Sequence, residues 1–259
     1  MNKAKIFVCY PSLDGKPELD SMQTMIMHTM LSKLSTPLYY YAKGESLISR
    51  LRDIAFCDFL QTDCDYFLSI DSDLTILNDP TQNNVIDMLI QNDKWFNGGL
   101  YSVKKPMQFI SASIPMDCTK ELQFNSGLVE MKYLSSGFWF IKRKVIERMY
   151  EHYKNDYVDG EEKNIGKKIV LLCNPIVKET TYEGKSFRKL LSEDWTCCEK
   201  WLNMDEKNKI YANTNILLSH TGKFDNLLFI PKQEQPKETL PPVGFNLDME
   251  LKDLQYVNT

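Results

Sequence analysis

The sequence predicts an α/β protein built on a doubly wound, mostly parallel sheet. Short apolar runs typical of buried strands alternate with segments of helical periodicity, at the spacing of strand–helix units. The 259 residues suffice for one such domain with its own core, but two complete domains would be tight. We therefore expect one domain over residues 1–225. Prolines lie among charged residues beyond it, which predicts a C-terminal tail or wrapping arm over residues 226–259.

The predicted strands and helices follow one another along the chain. The apolar residues 6–10 form the first strand, which runs into a loop at residues 11–15. Further strands are predicted at residues 37–41, 66–70, 94–103, 133–141 and 216–219, with β-hairpin material at residues 109–131 as a small antiparallel addition. Helices are predicted at residues 18–34, 46–60, 78–92, 142–153 and 192–203, the third with Pro80 in its first turn and the last capped by Ser192. The polar residues 155–168 are predicted to form a surface loop.

Composition and charge argue against several classes of protein. The net charge of −4 at pH 7 does not suit a broad nucleic-acid surface, which needs a basic excess. The seven cysteines contain no C-x-x-C pair and no zinc spacing, so we expect buried, reduced thiols in a cytoplasmic protein. The first apolar run is too short for a signal peptide, and no run approaches the ~18 apolar residues of a membrane helix.

Two Asp-x-Asp pairs occur close together, and their positions relative to a strand distinguish them. Asp63 and Asp65 precede the predicted strand 66–70 and would cap a turn, whereas Asp71 and Asp73 follow the strand directly. Ligands of open α/β sheets bind at the carboxyl ends of strands, so the second pair is the candidate site. Residues i and i+2 of an extended segment project to one side, and two carboxylates there suit Mg²⁺ or Mn²⁺ completed by substrate phosphates. A solvated turn is the alternative interpretation.

Two further segments carry candidate site residues. Glu193 and Asp194 stand at the predicted start of a helix, where a carboxylate can act as general base toward a sugar hydroxyl. His220 ends an apolar strand, where a neutral imidazole can complete the coordination of a metal, Mn²⁺ more readily than Mg²⁺. Each has a structural alternative, because acidic residues also offset the dipole of a helix start and a histidine can be a satisfied core residue.

Six segments, in order, resemble the GT-A-fold glycosyltransferases, of the compact kind frequent in viruses and bacteria. They span about residues 5–222 and leave the C-terminal tail uncovered. The segments are Ser49-Arg50-Leu51-Arg52-Asp53-Ile54-Ala55, Tyr66-Phe67-Leu68-Ser69-Ile70-Asp71-Ser72-Asp73, Gly98-Gly99-Leu100-Tyr101, Ser136-Gly137-Phe138-Trp139-Phe140-Ile141-Lys142-Arg143, Ser192-Glu193-Asp194-Trp195 with Cys198 and Trp201, and Ser219-His220-Thr221-Gly222. If the chain is viral, the expected location is the host cytoplasm.

The resemblance implies a metal centre and a catalytic base. Asp73 and His220 would bind Mn²⁺ or Mg²⁺ directly. Asp71 would contact the metal's waters or the ribose of the donor. Asp194 would be the general base of an inverting transfer, with Glu193 as its neighbour at the helix start.

The resemblance also implies contacts to a nucleoside-diphosphate sugar, with a UDP-sugar as the first candidate. Tyr10 and Pro11, in the loop after the first strand, would hold the base, and Arg52 would face the nucleotide from its helix. Gly98 and Gly99 would let the backbone approach the donor sugar closely. Similar sequences often carry Arg-Asn where this one has Arg52-Asp53, which leaves the nucleotide contacts of that helix open.

The sequence therefore predicts a metal-dependent glycosyltransferase that moves a sugar from a nucleoside-diphosphate donor to an acceptor hydroxyl. Nucleotidyl transfer on the same sheet is one alternative, although residues 11–17 hold one glycine and one lysine, too few for the Gly-rich basic loop of such enzymes. A non-catalytic carbohydrate-binding or scaffold protein is the other, because aromatic side chains are plentiful and their faces suit sugars.

The sequence does not identify the acceptor. A glycan or glycoprotein is the default, and a modified base in DNA is the alternative for a virus-type enzyme. The DNA alternative rests on a basic edge of Lys104, Lys105, Lys142, Arg143 and Lys144, which solvated loop and helix ends explain equally well. The sequence does not indicate an oligomeric state.

Overall fold

A computed structural model describes residues 3–12, 16–43, 45–104, 111–119, 122–161, 164–182, 184–221 and 226–227 of the chain. Its α-helices are α1 (Leu19–Met30), α2 (Ile48–Leu60), α3 (Val85–Gln91), α4 (Arg143–His152) and α5 (Glu193–Asn203). Its strands are β1 (Ala4–Ser12), β2 (Ser35–Lys43), β3 (Tyr66–Ile70), β4 (Leu74–Ile76), β5 (Phe96–Gly98), β6 (Ile114–Pro115), β7 (Leu128–Tyr133), β8 (Phe138–Lys142), β9 (Tyr157–Asp159), β10 (Lys168–Val170), β11 (Ile176–Tyr182), β12 (Lys185–Leu191), β13 (Ile210–Asn213), β14 (Leu218–His220) and β15 (Asn226–Leu227).

The central sheet has the strand order β2-β1-β3-β8-β5-β13-β7-β6. β1 pairs in parallel with β2 and β3, and β13 pairs in parallel with β5, whereas β8 and β7 are antiparallel to both of their neighbours. All strands of this sheet except β7 and β8 therefore point the same way, and their carboxyl ends share one edge, here called the carboxyl edge. The opposite edge is the amino edge. The predicted α/β fold with a mostly parallel sheet and small antiparallel additions is confirmed.

The strands of the central sheet are buried on both faces, which produces two cores. Along β1, Ile6 and Val8 face one side and Phe7 and Cys9 face the other, as the two-residue period of a strand requires. Helices α1 and α3 cover the first side, whereas α2, α4 and α5 cover the second. The carboxyl edge thus lies between two layers of helices, and residues from both layers can reach it.

One predicted helix is shorter than expected, and one predicted strand is divided in two. The helix predicted at residues 78–92 begins only at Val85, so the prediction of Pro80 in its first turn is wrong. Asn84 caps this helix, because its side-chain oxygen accepts the N–H groups of Ile86 at 3.1 Å and Asp87 at 3.2 Å. The strand predicted at residues 133–141 is instead the end of β7 and most of β8, because a turn ending at Gly137 separates them.

Other predictions differ in extent. The strand predicted at residues 94–103 is regular only at β5, and the surface loop predicted at residues 155–168 contains β9, which pairs with β10. All three residues of β9 are exposed, so no apolar alternation marks it in the sequence. The expected hairpin is present as the β6–β7 pair, although residues 109–110 and 120–121 lie outside the described residues.

The other Asp-x-Asp pair, Asp63 and Asp65, lies at the amino edge. Asp63 pairs with the ammonium of Lys5, and Oδ2 of Asp65 accepts the backbone N–H of Lys5 at 2.8 Å. The two carboxylates therefore hold the turn that leads into β3.

The seven cysteines are free thiols, and all but Cys118 are buried. Within the described ranges, no helix combines the length and the apolar character that crossing a membrane requires. Residues 226–227, the first of the predicted tail, pair with β14 as β15. The remainder of the predicted tail, residues 228–259, lies outside the described residues.

A methyl group at Gly98 has no room, because a β-carbon there would lie 2.0 Å from the carbonyl oxygen of Phe138. We expect Gly98→Ala to lower the free energy of unfolding by roughly 3 kcal/mol, measured by urea denaturation. At Gly99 the nearest atom is Cδ1 of Leu218 at 2.8 Å, the end of a flexible side chain. Gly99→Ala is therefore the matched variant, and we expect it to lower the free energy of unfolding by less. Equal losses would contradict the assignment of the clash to the backbone of β8.

Candidate active site

Asp71 and Asp73 lie at the carboxyl edge, in the turn between β3 and β4. The backbone N–H of Asp71 donates to the carbonyl of Gly137 at 2.9 Å, and the carbonyl of Ser72 accepts the N–H of Glu18 at 3.0 Å. Neighbouring segments on both sides thus hold the turn, and the two carboxylates are fixed relative to the sheet.

Strand β14 brings His220 to Asp73 from the far end of the chain. His220 lies opposite Leu74 in the β14–β4 pair, and the N–H of Thr221 donates to the carbonyl of Asp73 at 2.8 Å. Nε2 of the imidazole is 3.5 Å from Oδ1 of Asp73. Nδ1 is 2.8 Å from the carbonyl oxygen of Ser102, which can only accept, so Nδ1 carries the proton. In a neutral imidazole, Nε2 then presents its lone pair on the side of Asp73.

Asp73 is an anion between two basic side chains. The ammonium of Lys104 pairs with its Oδ2, and His220 faces its Oδ1. Desolvation raises the pKa of Asp73, but His220 and Lys104 outweigh that effect and lower the pKa to about 2. In the part of the chain that the structure describes, Oδ1 is buried and accepts no hydrogen bond of good geometry, and Nε2 of His220 at 3.5 Å is its ion-pair partner. A charged and incompletely satisfied oxygen therefore lies where the sequence predicts a metal.

A buried guanidinium joins the two halves of the site. The side chain of Arg52 is 2% exposed and donates to Oδ1 of Asp71 at 2.9 Å and to Oε1 of Glu193 at 3.3 Å. The hydroxyl of Ser136 donates to the same oxygen of Glu193 at 3.3 Å. Burial raises the pKa of Asp71, and Arg52 opposes that rise. Arg52 thus acts on two site carboxylates, a role that the sequence did not indicate.

Asp53, the residue after Arg52, faces away from the site. Its Oδ1 accepts the backbone N–H groups of Leu172 at 3.0 Å and Cys173 at 2.8 Å. Burial raises its pKa to about 7, although the two N–H groups oppose the rise. Asp53 therefore holds the backbone before β11, and a contact between Arg52 and a nucleotide stays a prediction.

The two acidic residues at the start of α5 differ in their surroundings. Glu193 is tied to Arg52, whereas Asp194 is 9% exposed and uses Oδ1 to accept the hydroxyl of Ser192 and, at 2.8 Å, the N–H of Trp195. Ser192 occupies the N-cap position, but its side chain bonds to Asp194 and makes no capping bond, so that detail of the prediction is wrong. Burial raises the pKa of Asp194, and the charge of Glu193 adds to the rise. Asp194 is therefore a stronger proton acceptor than an ordinary carboxylate.

Tyr101 packs against His220 and Gly137 at the carboxyl edge. Its ring packs edge-on against His220 at a centroid distance of 5.2 Å, and its hydroxyl oxygen accepts the N–H of Gly137 at 2.9 Å. Burial raises its pKa well above the usual value, and the charges of Asp71 and Asp194 both add to the rise. Tyr101 therefore connects His220 with Gly137, whose carbonyl accepts the N–H of Asp71.

Gly137 is required where it stands. A β-carbon there would lie 2.5 Å from the hydroxyl of Tyr101 and 2.9 Å from Oδ2 of Asp71. The sequence singled out the segments that contain Tyr101 and Gly137 but gave neither residue a role. Only the fold shows that they meet.

Tyr10 and Pro11 do not lie in a loop, and that expectation is wrong. β1 continues to Ser12 because it pairs with β2 over all of its residues. Tyr10 is buried, and its hydroxyl donates to Oγ of Ser21 at 2.9 Å. Residues 13–15 of the expected loop lie outside the described residues. A base contact by Tyr10 or Pro11 stays a prediction.

Gly98 and Gly99 are buried beside β8 and β14. Close packing against Phe138 and Leu218 accounts for glycine at both positions. Their predicted approach to the donor sugar stays a prediction.

The predicted basic edge is not one surface. Lys104 pairs with Asp73 at the carboxyl edge, whereas Lys142 pairs with Asp93 at the amino edge. Arg143 donates to the carbonyl of Cys64 at 2.7 Å and so supports the turn before β3. Lys105 lies outside the described residues.

The carboxyl edge has donors that fit a divalent cation. Asp73 and His220 offer an anionic oxygen and an imidazole nitrogen, a set that Mn²⁺ accepts readily. Adjacent ligands of one cation lie roughly 3.0–3.5 Å apart at bond lengths of ~2.1 Å, which agrees with the 3.5 Å between these atoms. In the described ranges, no group of three or more His, Cys, Asp or Glu side chains could hold a metal ion alone. Water or substrate oxygens would have to complete the coordination.

The protein has a Rossmann-like α/β fold with a large, mostly parallel central sheet, and carboxylates, a guanidinium and an imidazole lie at its carboxyl edge. Its structure is similar to that of A197 from STIV, with a TM-score of 0.51 and 16% identity over 84% of this chain and 85% of that chain. At this identity the similarity shows the fold alone.

A weaker similarity links the chain to a Bacillus anthracis protein described as a glucose-1-phosphate thymidylyltransferase, in complex with sucrose. The TM-score is 0.37 and the identity 12%, over 57% of this chain and 75% of that chain, so this similarity carries no argument. No protein-family model matches the sequence, and no curated protein matches it either.

Removal of Arg52 would leave Asp71 and Glu193 without their shared counter-ion. We expect Arg52→Met to lower the free energy of unfolding by roughly 3 kcal/mol at about pH 7. The loss should shrink at about pH 5, because burial raises the pKa of Asp71 and its protonation removes uncompensated charge. Urea denaturation at both pH values measures this. Arg52→Lys, which keeps one cation, should lose less. If the free energy of unfolding falls equally at both pH values, lost packing rather than uncompensated charge explains the effect.

The low pKa of Asp73 links stability to acid pH. Its folded pKa of about 2 lies below the ordinary 3.8, so the stabilisation is complete above that ordinary value and is lost as the pH falls toward the folded pKa. We expect Asp73→Asn to remove about 2 kcal/mol of this pH-dependent stability, measured by urea denaturation across the acid range. Asp63→Asn is the matched control, because that exposed ion pair is screened by solvent. Equal changes in the two variants would contradict the assignment of the low pKa of Asp73 to its neighbours Lys104 and His220.

Proposed function

We propose that the protein is a metal-dependent glycosyltransferase that moves a sugar from a nucleoside-diphosphate sugar to an acceptor hydroxyl. The observation that carries the proposal is the buried Oδ1 of Asp73, which accepts no hydrogen bond of good geometry among the described residues and lies 3.5 Å from Nε2 of His220. Its position at the carboxyl edge agrees with where open α/β sheets bind ligands. The fold alone does not define a reaction, so the proposal rests on the site.

Asp73 and His220 would hold Mn²⁺ or Mg²⁺ at this edge. Oδ1 of Asp71 already accepts from Arg52, so Asp71 is assigned to the metal's waters or to the ribose. When bound, the cation would neutralise the charge that develops on the departing nucleoside diphosphate. Lys104, which is 41% exposed and pairs with the same Asp73, is suited to donate to a phosphate oxygen.

Asp194 would accept the proton of the attacking hydroxyl. We assign this role to Oδ2, because Oδ1 already accepts from Ser192 and Trp195. The raised pKa of Asp194 favours proton transfer to it. Glu193 is bound to Arg52 and Ser136 and would instead hold Arg52 in place. Direct attack assisted by one base implies inversion at the anomeric carbon.

The chemistry of the site indicates only the chemical classes of the donor and the acceptor. A UDP-sugar is the first donor to test, and a glycan or glycoprotein is the first acceptor. A DNA acceptor has less support, because the lysines that suggested it lie at opposite edges and the chain is acidic.

We expect a UDP-sugar to release nucleoside diphosphate in the presence of Mn²⁺ and not in the presence of a chelator. Asp73→Asn and His220→Ala should each weaken Mn²⁺ binding at least about tenfold, measured by titration calorimetry, because each removes a ligand. Asp194→Asn should lower kcat by roughly 10²–10⁴-fold with Mn²⁺ binding unchanged, because it removes only the base.

Asp63→Asn is the matched control, since it alters the other Asp-x-Asp pair at the amino edge. Turnover like the wild type in both Asp73→Asn and Asp194→Asn would place the chemistry elsewhere. Release of pyrophosphate in place of nucleoside diphosphate would identify nucleotidyl transfer instead.

A further inference from the structure

A second concave site lies at the amino edge of the central sheet. Trp95 directly precedes β5, Tyr211 lies in the first half of β13, and both strands run from here toward the carboxyl edge. With Arg148 of α4 and Trp201 of α5, these residues line a cavity of about 430 Å³. Small-ligand sites typically measure roughly 300–1,000 Å³. We call this cavity the amino-edge pocket, and it shares no lining residue with the proposed transferase site.

Trp95 gives the amino-edge pocket an exposed aromatic face. Its indole is 42% exposed, yet it lies 6.4 Å from the ring of Trp201 and 5.6 Å from the guanidinium of Arg148. Trp201 is buried and donates its indole N–H to the carbonyl of Lys209 at 3.2 Å. Fixed groups therefore back the exposed indole, which forms a defined apolar wall.

Hydrogen-bonding groups are fixed beside this wall. Arg148 donates to Oδ1 of Asn208 at 3.3 Å and to Oδ2 of Asp205 at 3.4 Å. Asn208 in turn donates to the carbonyl of Trp201 at 2.8 Å. Donors and acceptors thus stand next to an aromatic face, a combination that suits a sugar ring, which has an apolar face and hydroxyls at its rim.

The amino-edge pocket is cationic, although the protein as a whole is acidic. Four of its lining side chains are cationic and two are anionic, whereas the chain carries a net charge of −4. Nζ of Lys94 lies 4.8 Å from the ring centre of Tyr211, and Lys207 lines the same pocket. Lys209 also lines it and pairs with Glu130 at 2.7 Å. An anionic ligand is therefore favoured.

We propose that the amino-edge pocket binds an acidic sugar residue, a pyranose that bears a carboxylate, within a glycan. The apolar face of the ring would pack on Trp95, the hydroxyls would bond to Asp205 and Arg148, and the carboxylate would meet Lys94 and Lys207. A nucleobase fits less well, because its ring carries no anionic group to meet Lys94 and Lys207. The proposal does not depend on the transferase activity.

Titration calorimetry on the full chain, without donor or metal, tests the proposal. The probes are a trimer of galacturonic acid and the neutral trimer of galactose. We expect the acidic trimer to bind and the neutral trimer to bind at least about tenfold more weakly. Trp95→Ala should weaken binding of the acidic trimer about tenfold, and Trp95→Phe should retain part of it. Lys207→Gln should weaken binding and reduce its dependence on salt.

Asp73→Asn, at the opposite edge, is the control and should bind the acidic trimer like the wild type. A thermal unfolding curve for each variant separates loss of binding from loss of folding. The proposal is overturned if the acidic trimer does not bind, if the two trimers bind equally, or if Trp95→Phe and Lys207→Gln both bind like the wild type. Loss of binding in Asp73→Asn, or tighter binding of oligo-dT than of the acidic trimer, would also overturn it.

Discussion

The candidate active site depends on the buried guanidinium of Arg52. Removing such a cation from water is costly, and one ion pair rarely compensates for the loss of hydration. Arg52 meets two carboxylates, Asp71 at 2.9 Å and Glu193 at 3.3 Å. Because Asp71 follows β3 and Glu193 begins α5, one side chain of α2 fixes two elements that are distant in sequence. Loss of either carboxylate would leave a buried charge undercompensated, so the three residues depend on one another.

Helix α2 is connected to the segment before α5 a second time, through Asp53, the residue after Arg52. Asp53 accepts the N–H groups of Leu172 and Cys173, just before the β11–β12 hairpin that leads directly into Ser192 and α5. Successive helix residues point about 100° apart, so one faces the site and the other faces the hairpin. Arg52 and Asp53 therefore connect α2 both to the carboxylates of the site and to the segment before the β11–β12 hairpin.

The sequence was most informative where one physical cause decides the outcome. Apolar runs predicted β3 with its observed bounds, and strand direction alone placed Asp71 and Asp73, rather than Asp63 and Asp65, at the carboxyl edge. β9 was missed because its residues are exposed, and the start of α3 was misplaced because Asn84, not a proline turn, caps it. In the site, the bridge from Arg52 to Glu193 could not be predicted, since it needs the relative position of two helices. The same holds for Tyr101 and Gly137, whose contact exists only in three dimensions.

The hydrogen bond from His220 to Ser102 decides which ring nitrogen faces Asp73. The carbonyl of Ser102 fixes a proton on Nδ1, so Nε2 is the nitrogen on the side of Asp73. With a proton on Nε2, the imidazolium forms an ion pair with Asp73, and this cation contributes to the low pKa of that carboxyl group. Without that proton, a lone pair and a carboxylate oxygen lie 3.5 Å apart, an arrangement that is unfavourable unless a cation joins them. Under the proposed function, the cation that joins them would be an ion that accepts nitrogen and oxygen ligands together, as Mn²⁺ does.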